Sequence, residues 1–163
     1  MRARPWALTD AASLEPACGD PDICRFTTVP RHYTPEAAAA WISRQHSRIA
    51  DGAGIVLAIE PESVQHPVGM VGLFGLDEPG PVVRFGYWIM RDHRRSGLAS
   101  EAVRLVVDWA VAHLDIEVLH IDVEPGNEAS RRVAQAVGAK CDRQLTRKLT
   151  GQDVVLERFT LRR

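Results

Sequence analysis

The feature that most constrains this chain is a change of rhythm in its middle. Residues 82–90 (VVRFGYWIM) read as a strand, rich in branched and aromatic side chains. After the loop Arg91–Gly97 the pattern turns helical. Leu98, Ala102, Leu105, Val106, Trp109 and His113 fall on one face, with Glu101, Arg104 and Asp108 opposite. Val118–Val123 then reads as another strand and Ala129–Val137 as another helix, stopped by Gly138. Strands and helices interleaved in this way belong to a domain that layers helices on a sheet.

The flanks fit that frame. Arg2–Pro5 predicts a short strand, and Thr9-Asp10 a cap before a helix at Ala11–Ala17. Gly19–Pro35 reads as loop, punctuated by Asp20-Pro21 and Val29-Pro30. Thr34-Pro35-Glu36 is a helix start, with an N-cap, a proline in the first helical position and an acid in the first turn. That helix runs to Ile49 and stops at Asp51-Gly52. Ile55–Ile59 and Val68–Leu76 are strands, and Glu78–Pro81 turns the chain into Val82. Two late strands, Gln144–Leu149 and Val154–Leu161, close around Gly151. Trp41, Trp88 and Trp109 occupy core positions on this reading. The expected class is α+β (mixed α/β) in a single domain over residues 1–163.

Composition narrows the function classes. A formal net charge of −1 supplies no basic field for nucleic acid or an anionic membrane. No apolar run reaches spanning length, and no signal peptide is legible. Cys18, Cys24 and Cys141 have no zinc-ligand spacing and read as free thiols, so no metal is expected and a reducing, cytoplasmic setting is.

The chemistry concentrates where the rhythm changes. A loop feeding a helix N-terminus presents backbone N–H groups without internal partners, at the positive end of the helix dipole. Such an end suits a phosphate-bearing ligand. Gly97 permits a positive φ or close backbone approach, and small Ala99 leaves room against the first turn. Arg94 and Arg95 add charge suited to a diphosphate or a 3′-phosphate. A plain turn with solvated arginines is the competing reading. The Walker loop and the Gly-x-Gly-x-x-Gly fingerprint are both absent.

Arg94-Arg95-Ser96-Gly97-Leu98-Ala99 resembles the acetyl-CoA loop of GNAT acetyltransferases. Gly86-Tyr87-Trp88-Ile89 before it and Ser100-Glu101-Ala102-Val103 after it are similar to the RimJ/RimL-like branch, as is Asn127-Glu128-Ala129-Ser130 further on. The resemblance spans nearly the whole chain. It departs from the family where Arg95 replaces a usual glycine and where Ala139 follows Gly138 in place of phenylalanine. It implies a central, mostly antiparallel sheet with helices on both faces. It also implies a splayed parallel pair, Val82–Met90 and Val118–Val123, whose gap admits pantetheine.

On the same resemblance, the backbone N–H groups of Ile89 and Met90 face the thioester oxygen, and Arg94–Ala99 hold the phosphates. Asn127 contacts pantetheine, caps the following helix, or does both. Ser130 protonates the departing thiolate or is a neutral surface serine, and it enters because neither Tyr33 nor Tyr87 lies in the last helix where many relatives carry a tyrosine. Asp122 is the first candidate base, with Glu78 and Glu157 as alternatives, and a polar edge residue is its plainer reading. His93 and His120 lack recognisable partners, and Arg143, Arg147 and Lys148 read as a solvated strand edge.

Two functions follow as expectations. The first is direct, acetyl-CoA-dependent transfer of acetyl to a primary amine, either a protein or peptide N-terminus or a small amine. The second is a non-catalytic acyl-CoA-binding or protein-interaction module on the same scaffold. Acceptor choice is expected from Gly19–Pro35 and Gln144–Val154. Late edge strands able to pair between two copies raise a homodimer as a further expectation.

Overall fold

The computed structural model describes residues 1–149 and 151–162. Seven strands make one sheet: β1 (Arg2–Pro5), β2 (Gly54–Glu60), β3 (Gly69–Phe74), β4 (Val82–Ile89), β5 (Val118–Val123), β6 (Lys140–Leu149) and β7 (Gln152–Arg162). Their order across the sheet is β1-β2-β3-β4-β5-β7-β6. All neighbours are antiparallel except β4 and β5. The parallel pair needs a crossover, supplied by α4 (Leu98–His113). The expected mixed class, mostly antiparallel sheet and parallel pair are all present, with Thr150 of the predicted 144–154 turn outside the described residues.

Strand alternation sorts the two faces. Val83, Phe85 and Ile89 of β4 and Leu119, Ile121 and Val123 of β5 join the core under α4 and α5 (Glu128–Ala136). On the other face Val56, Ala58, Trp88 and Met90 pack with Trp6, which follows β1, with Leu14 of a short 3₁₀ helix, and with Ile23 and Ile42 from the N-terminal α-helices. Those helices are α1 (Glu15–Gly19), α2 (Pro21–Phe26) and α3 (Pro35–Ala50). The start of α3 is as expected: the Thr34 hydroxyl accepts from the Ala37 amide at 3.2 Å, and Pro35 sits in the first turn.

Three sequence expectations change. Residues 8–14 form a 3₁₀ helix leading into α1, instead of one helix over Ala11–Ala17. Asp10 reaches backwards, accepting from the Ala7 amide at 2.7 Å and pairing with Arg4 at 2.6 Å. The segment Gly19–Pro35 is not all loop, because Asp20 caps α2 by accepting from the amides of Asp22 and Ile23. The buried stripe of α4 is also rotated from the expected one.

That stripe consists of Ala102, Val103, Val106, Val107 and Ala110, while Leu105 is 46% and Trp109 41% exposed. α4 carries apolar residues around most of its circumference, so periodicity did not single out the inward face. Small Ala102 and Ala110 let the helix approach the sheet closely, and the bulky indole lies outside, stacked on His113 at 5.4 Å. Trp88 is buried as expected, and Trp41 meets Trp6 edge-on at 5.4 Å.

Close approach also decides Gly69. A Cβ there would lie 2.5 Å from the Trp88 carbonyl oxygen and 2.7 Å from Ile89 Cδ1. Gly69→Ala is therefore expected to destabilise the fold by roughly 2 kcal/mol, the ordinary cost of overpacking. Urea denaturation checks this; an unchanged midpoint would refute the steric account.

Candidate active site

The pairing of β4 with β5 stops early. Their register runs from Val82↔Val118 to Phe85↔Ile121 and no further. Gly86–Ile89 therefore has a free edge on the β5 side, as expected of a splayed pair. The Met90 amide donates to the Val68 carbonyl at 2.9 Å, towards β3, which removes it from the expected pair of oxyanion donors. Successive amides on a strand point to opposite edges, so those of Ile89 and Tyr87 face the gap. The side chain of Met90 is buried on the N-terminal-helix face.

A cleft with about 640 Å³ of room begins at this gap, bounded by Tyr87–Ile89, the loop up to Gly97, the first turn of α4, the start of α5 and α2 with Thr27 after it. Gly97 is the N-cap of α4 at φ +84°, and no side chain caps that helix. The first-turn amides of Leu98, Ala99 and Ser100 thus have no carbonyl a turn below them, and all three residues line the cleft. Ser96 is used within the loop, where its hydroxyl donates to the His93 carbonyl at 2.6 Å.

The adjacent arginines Arg94 and Arg95 differ. Arg95 has φ +60°, is exposed, lines the cleft and has no side-chain partner among the described residues. Arg94 turns inward. Its Nε donates to the Ile89 carbonyl at 2.9 Å, and its other nitrogens donate to Asp20 at 2.6 Å and Asp22 at 2.9 Å. Arg94 is therefore a tie between the loop and α2, and its charge is not free for a phosphate. Arg132 of α5, unpaired among the described residues, faces the cleft instead.

On the α5 side, Asn127 accepts from the Ser130 amide at 3.1 Å and so caps the helix while lining the cleft. The Ser130 hydroxyl lies 2.8 Å from the Tyr87 hydroxyl. Burial pushes the Tyr87 phenol up to about 12, against a smaller opposing effect of the Ser130 hydrogen bond. A search for tyrosine within the last helix alone passes over this pairing. The legible signal was strand alternation, which puts Tyr87 on the same face as Phe85 and Ile89, towards α5.

A family model described as an acetyltransferase (GNAT) domain matches residues 1–140. The chain belongs to the GNAT acetyltransferase family. It is 31% identical over 108 residues to a probable N-acetyltransferase, YjcK, of Bacillus subtilis. That match covers 66% of this chain and 60% of YjcK, so it spans less than two thirds of the relative. The fold is similar to that of the microcin C7 self-immunity acetyltransferase MccE in complex with acetyl-CoA and AMP, with a TM-score of 0.87 and 15% identity over 98% of this chain and 91% of that one. It is similar also to RimL, a ribosomal L7/L12 alpha-N-protein acetyltransferase in complex with coenzyme A, with a TM-score of 0.86 and 13% identity over 98% and 92%.

In this GNAT chain the candidate bases are all engaged. Asp122 accepts from Arg158 at 2.7 and 2.8 Å and lies 3.4 Å from Arg147. Burial alone would raise its carboxyl, but the Arg158 hydrogen bonds and the charges of Arg158 and Arg147 outweigh that and hold it below the usual range. A carboxylate so held is a weak proton acceptor. Glu78 is paired with Arg84, and Glu157 lies 3.3 Å from Arg131 of α5. His120 is lowered by burial and by the nearby Arg158, and its Nδ1 lies 3.1 Å from the Thr160 hydroxyl.

The Arg94 tie has a measurable signature. Burial would raise the Asp20 carboxyl, but Arg94 and the amides of Asp22 and Ile23 together keep it below its ordinary value. A depressed carboxyl contributes stability above its unfolded pKa of about 3.9 and loses that contribution as pH falls through the folded value. Arg94→Met is expected to cost roughly 2 to 3 kcal/mol at pH 7, between a charged hydrogen bond and a buried ion pair. The difference from the parent should shrink in acid. Urea titrations at pH 7 and pH 3 check it; a cost that is the same at both would contradict the role given to Asp20.

Proposed function

We propose that this chain is an acetyl-CoA-dependent N-acetyltransferase, with residues 1–163 acting as one domain, that moves acetyl directly to a primary amine. The observation that carries this reading is the junction of an unpaired β4 edge with the uncapped N-terminus of α4 inside one cleft. The residues present suit the donor. Open first-turn amides and the unpaired guanidinium groups of Arg95 and Arg132 suit its phosphates, and the free edge of β4 suits an amide-bearing arm. Bound acetyl-CoA supplies a thioester carbon, to which the amine nitrogen bonds as the carbon–sulfur bond breaks.

The chain's own groups do the rest. The Tyr87 and Ile89 amides, aimed into the gap, stabilise charge growing on the thioester oxygen. Ser130 gives its hydroxyl proton to the leaving sulfur and recovers one from Tyr87, 2.8 Å behind it, and Tyr87 takes its proton back from water. Asn127 holds the first turn of α5 so that Ser130 faces the gap. With Asp122 committed to Arg158, the proton lost by the amine leaves through water. An α-amine, which titrates near ~7.7–8.0 against ~10.4 for a lysine side chain, needs the least help to do so. RimL's action on a protein N-terminus supports placing α-amines first among the acceptors, before small amines.

Calorimetric titration with acetyl-CoA tests the donor site. Saturable binding is expected, weakened at least about tenfold in Gly97→Glu, which sets a negative charge where the helix end favours anions. Failure of the folded parent to bind would refute the donor assignment. In amine-dependent thiol release, Tyr87→Phe should lower kcat by about 10²-fold, the lower end of general acid catalysis, with acetyl-CoA affinity kept. An unchanged kcat would remove Tyr87 from the proton path. Binding without turnover of any amine would leave a non-catalytic acyl-CoA-binding module.

A further inference from the structure

The half of the sheet beyond β4 has a polar face that the acetyl donor does not use. Helices α1–α3 cover β2–β4 on that face, and the apolar core beneath them contains no residue of β5, β6 or β7. Next past the last paired rung, Phe85↔Ile121, Asp122 begins the parted stretch of β5. Arg158 lies directly across β7 from Asp122, and Arg143 across β6 from Arg158. Asp122, Arg158 and Arg143 thus form a row that starts at the gap and runs outward. Arg147 leans into the same row, 3.4 Å from Asp122.

With the donor in the cleft between α2 and the starts of α4 and α5, the stretch of this face beside β5 is left to an acceptor. At the parting on that stretch stands Asp122, kept anionic and fixed in direction by the bidentate contact with Arg158. Around Asp122 the arginines Arg84, Arg143, Arg147 and Arg158 outnumber the acids Glu78 and Asp142. Arg84 is satisfied by Glu78, but Arg143 is exposed with no partner among the described residues, and Arg147 shares the carboxylate already gripped by Arg158. A negative point at the gap, with the exposed Arg143 and the half-buried Arg147 a few residues out, is the complement of a zwitterion. A polycation would place like charge against Arg143 and Arg147.

We propose that the acceptor is an amine with a carboxylate close by, whose ammonium faces Asp122 and whose carboxylate is read by Arg143 and Arg147. The proposal rests on the acetyltransferase reading, and the acceptor's source is either the N-terminus of an acidic peptide or a small amino acid. Fluorescence anisotropy of labelled peptides on the CoA complex and on the protein alone tests it without turnover. The probes are peptides beginning Ala-Asp-Glu and Ala-Lys-Arg, an N-terminally blocked copy of the acidic one, and free aspartate and spermidine as competitors.

The acidic peptide is expected to bind at least about tenfold more tightly than the basic one, a preference that added salt erodes. It should fall to near parity in the Arg143→Ala/Arg147→Ala variant while acetyl-CoA affinity holds. Blocking the N-terminus should weaken binding, and competition by aspartate at low concentration would identify a small acceptor over a peptide. Equal or tighter binding of the basic peptide or spermidine, or an acidic preference that survives the double variant, overturns the proposal. Equal binding of the blocked peptide overturns the part given to Asp122. A protein that prefers the acidic peptide yet never binds acetyl-CoA would refute the acetyltransferase reading and leave the acidic preference standing.

Discussion

Everything in this structure that bears on function depends on one parallel strand pair failing to continue. Four rungs join β4 to β5, and then the strands part while each goes on pairing with its antiparallel neighbour. Unpaired backbone groups in a sheet interior cost free energy unless something else meets them. The fold leaves that edge open where a helix N-terminus, also uncapped, opens beside it. Both deficits are of one kind, amides without acceptors, and one ligand carrying amides and phosphates can satisfy them together. The crossover helix α4 links the two features, because the parallel pair requires a crossover and its N-terminus must follow the end of β4.

The second constraint is the way the parting is held at its rim. Arg94 leaves the end of β4 and binds its carbonyl at Ile89 together with the two carboxylates at the start of α2. Asp20 serves this tie and caps α2 with the same carboxylate. A helix of six residues is too short to stand by propensity alone. It is tied through Arg94 to the loop that leads into α4, so α2 and that loop hold each other in place.

Much of this was legible in the chain. Thr34-Pro35 marked the start of α3, branched residues marked β5 over its full length, and the strand-to-helix switch at Gly97 placed the loop. Those signals are local, carried by propensity and capping. What escaped was decided between elements. Asp20 as a cap needed Arg94, 74 positions away, to make its carboxylate worth burying. Tyr87 and Ser130 are 43 positions apart and meet because strand alternation and the α5 start bring them together. Asp122 looked like a free acid on a strand beside the gap, and only the β5–β7 register reveals Arg158 opposite it. The inward face of α4 failed for another reason: a helix apolar on most sides leaves the choice to packing.

The adjacent arginines of the loop show how much backbone geometry decides about like residues. Arg94 is extended, at φ −72° and ψ 166°, and its side chain is drawn back across the strand end. Arg95 stands at φ +60°, a left-handed conformation that costs a residue with a Cβ roughly 1 to 2 kcal/mol. Glycine, which the family resemblance leads one to expect at this place, would adopt it without that cost. A residue that accepts strain here gains nothing from packing, since Arg95 is exposed and unpaired among the described residues. The left-handed turn is needed to bring the chain into Gly97 and the open amides of α4. The guanidinium carried on that turn stands beside them at the cleft. Strain of this kind persists where the surroundings impose the backbone, and it gathers at binding sites. With Arg94 neutralised by Asp20 and Asp22, Arg95 is the arginine of the loop that lines the cleft unpaired among the described residues, so here the departure from glycine strengthens the case for a phosphate-bearing ligand.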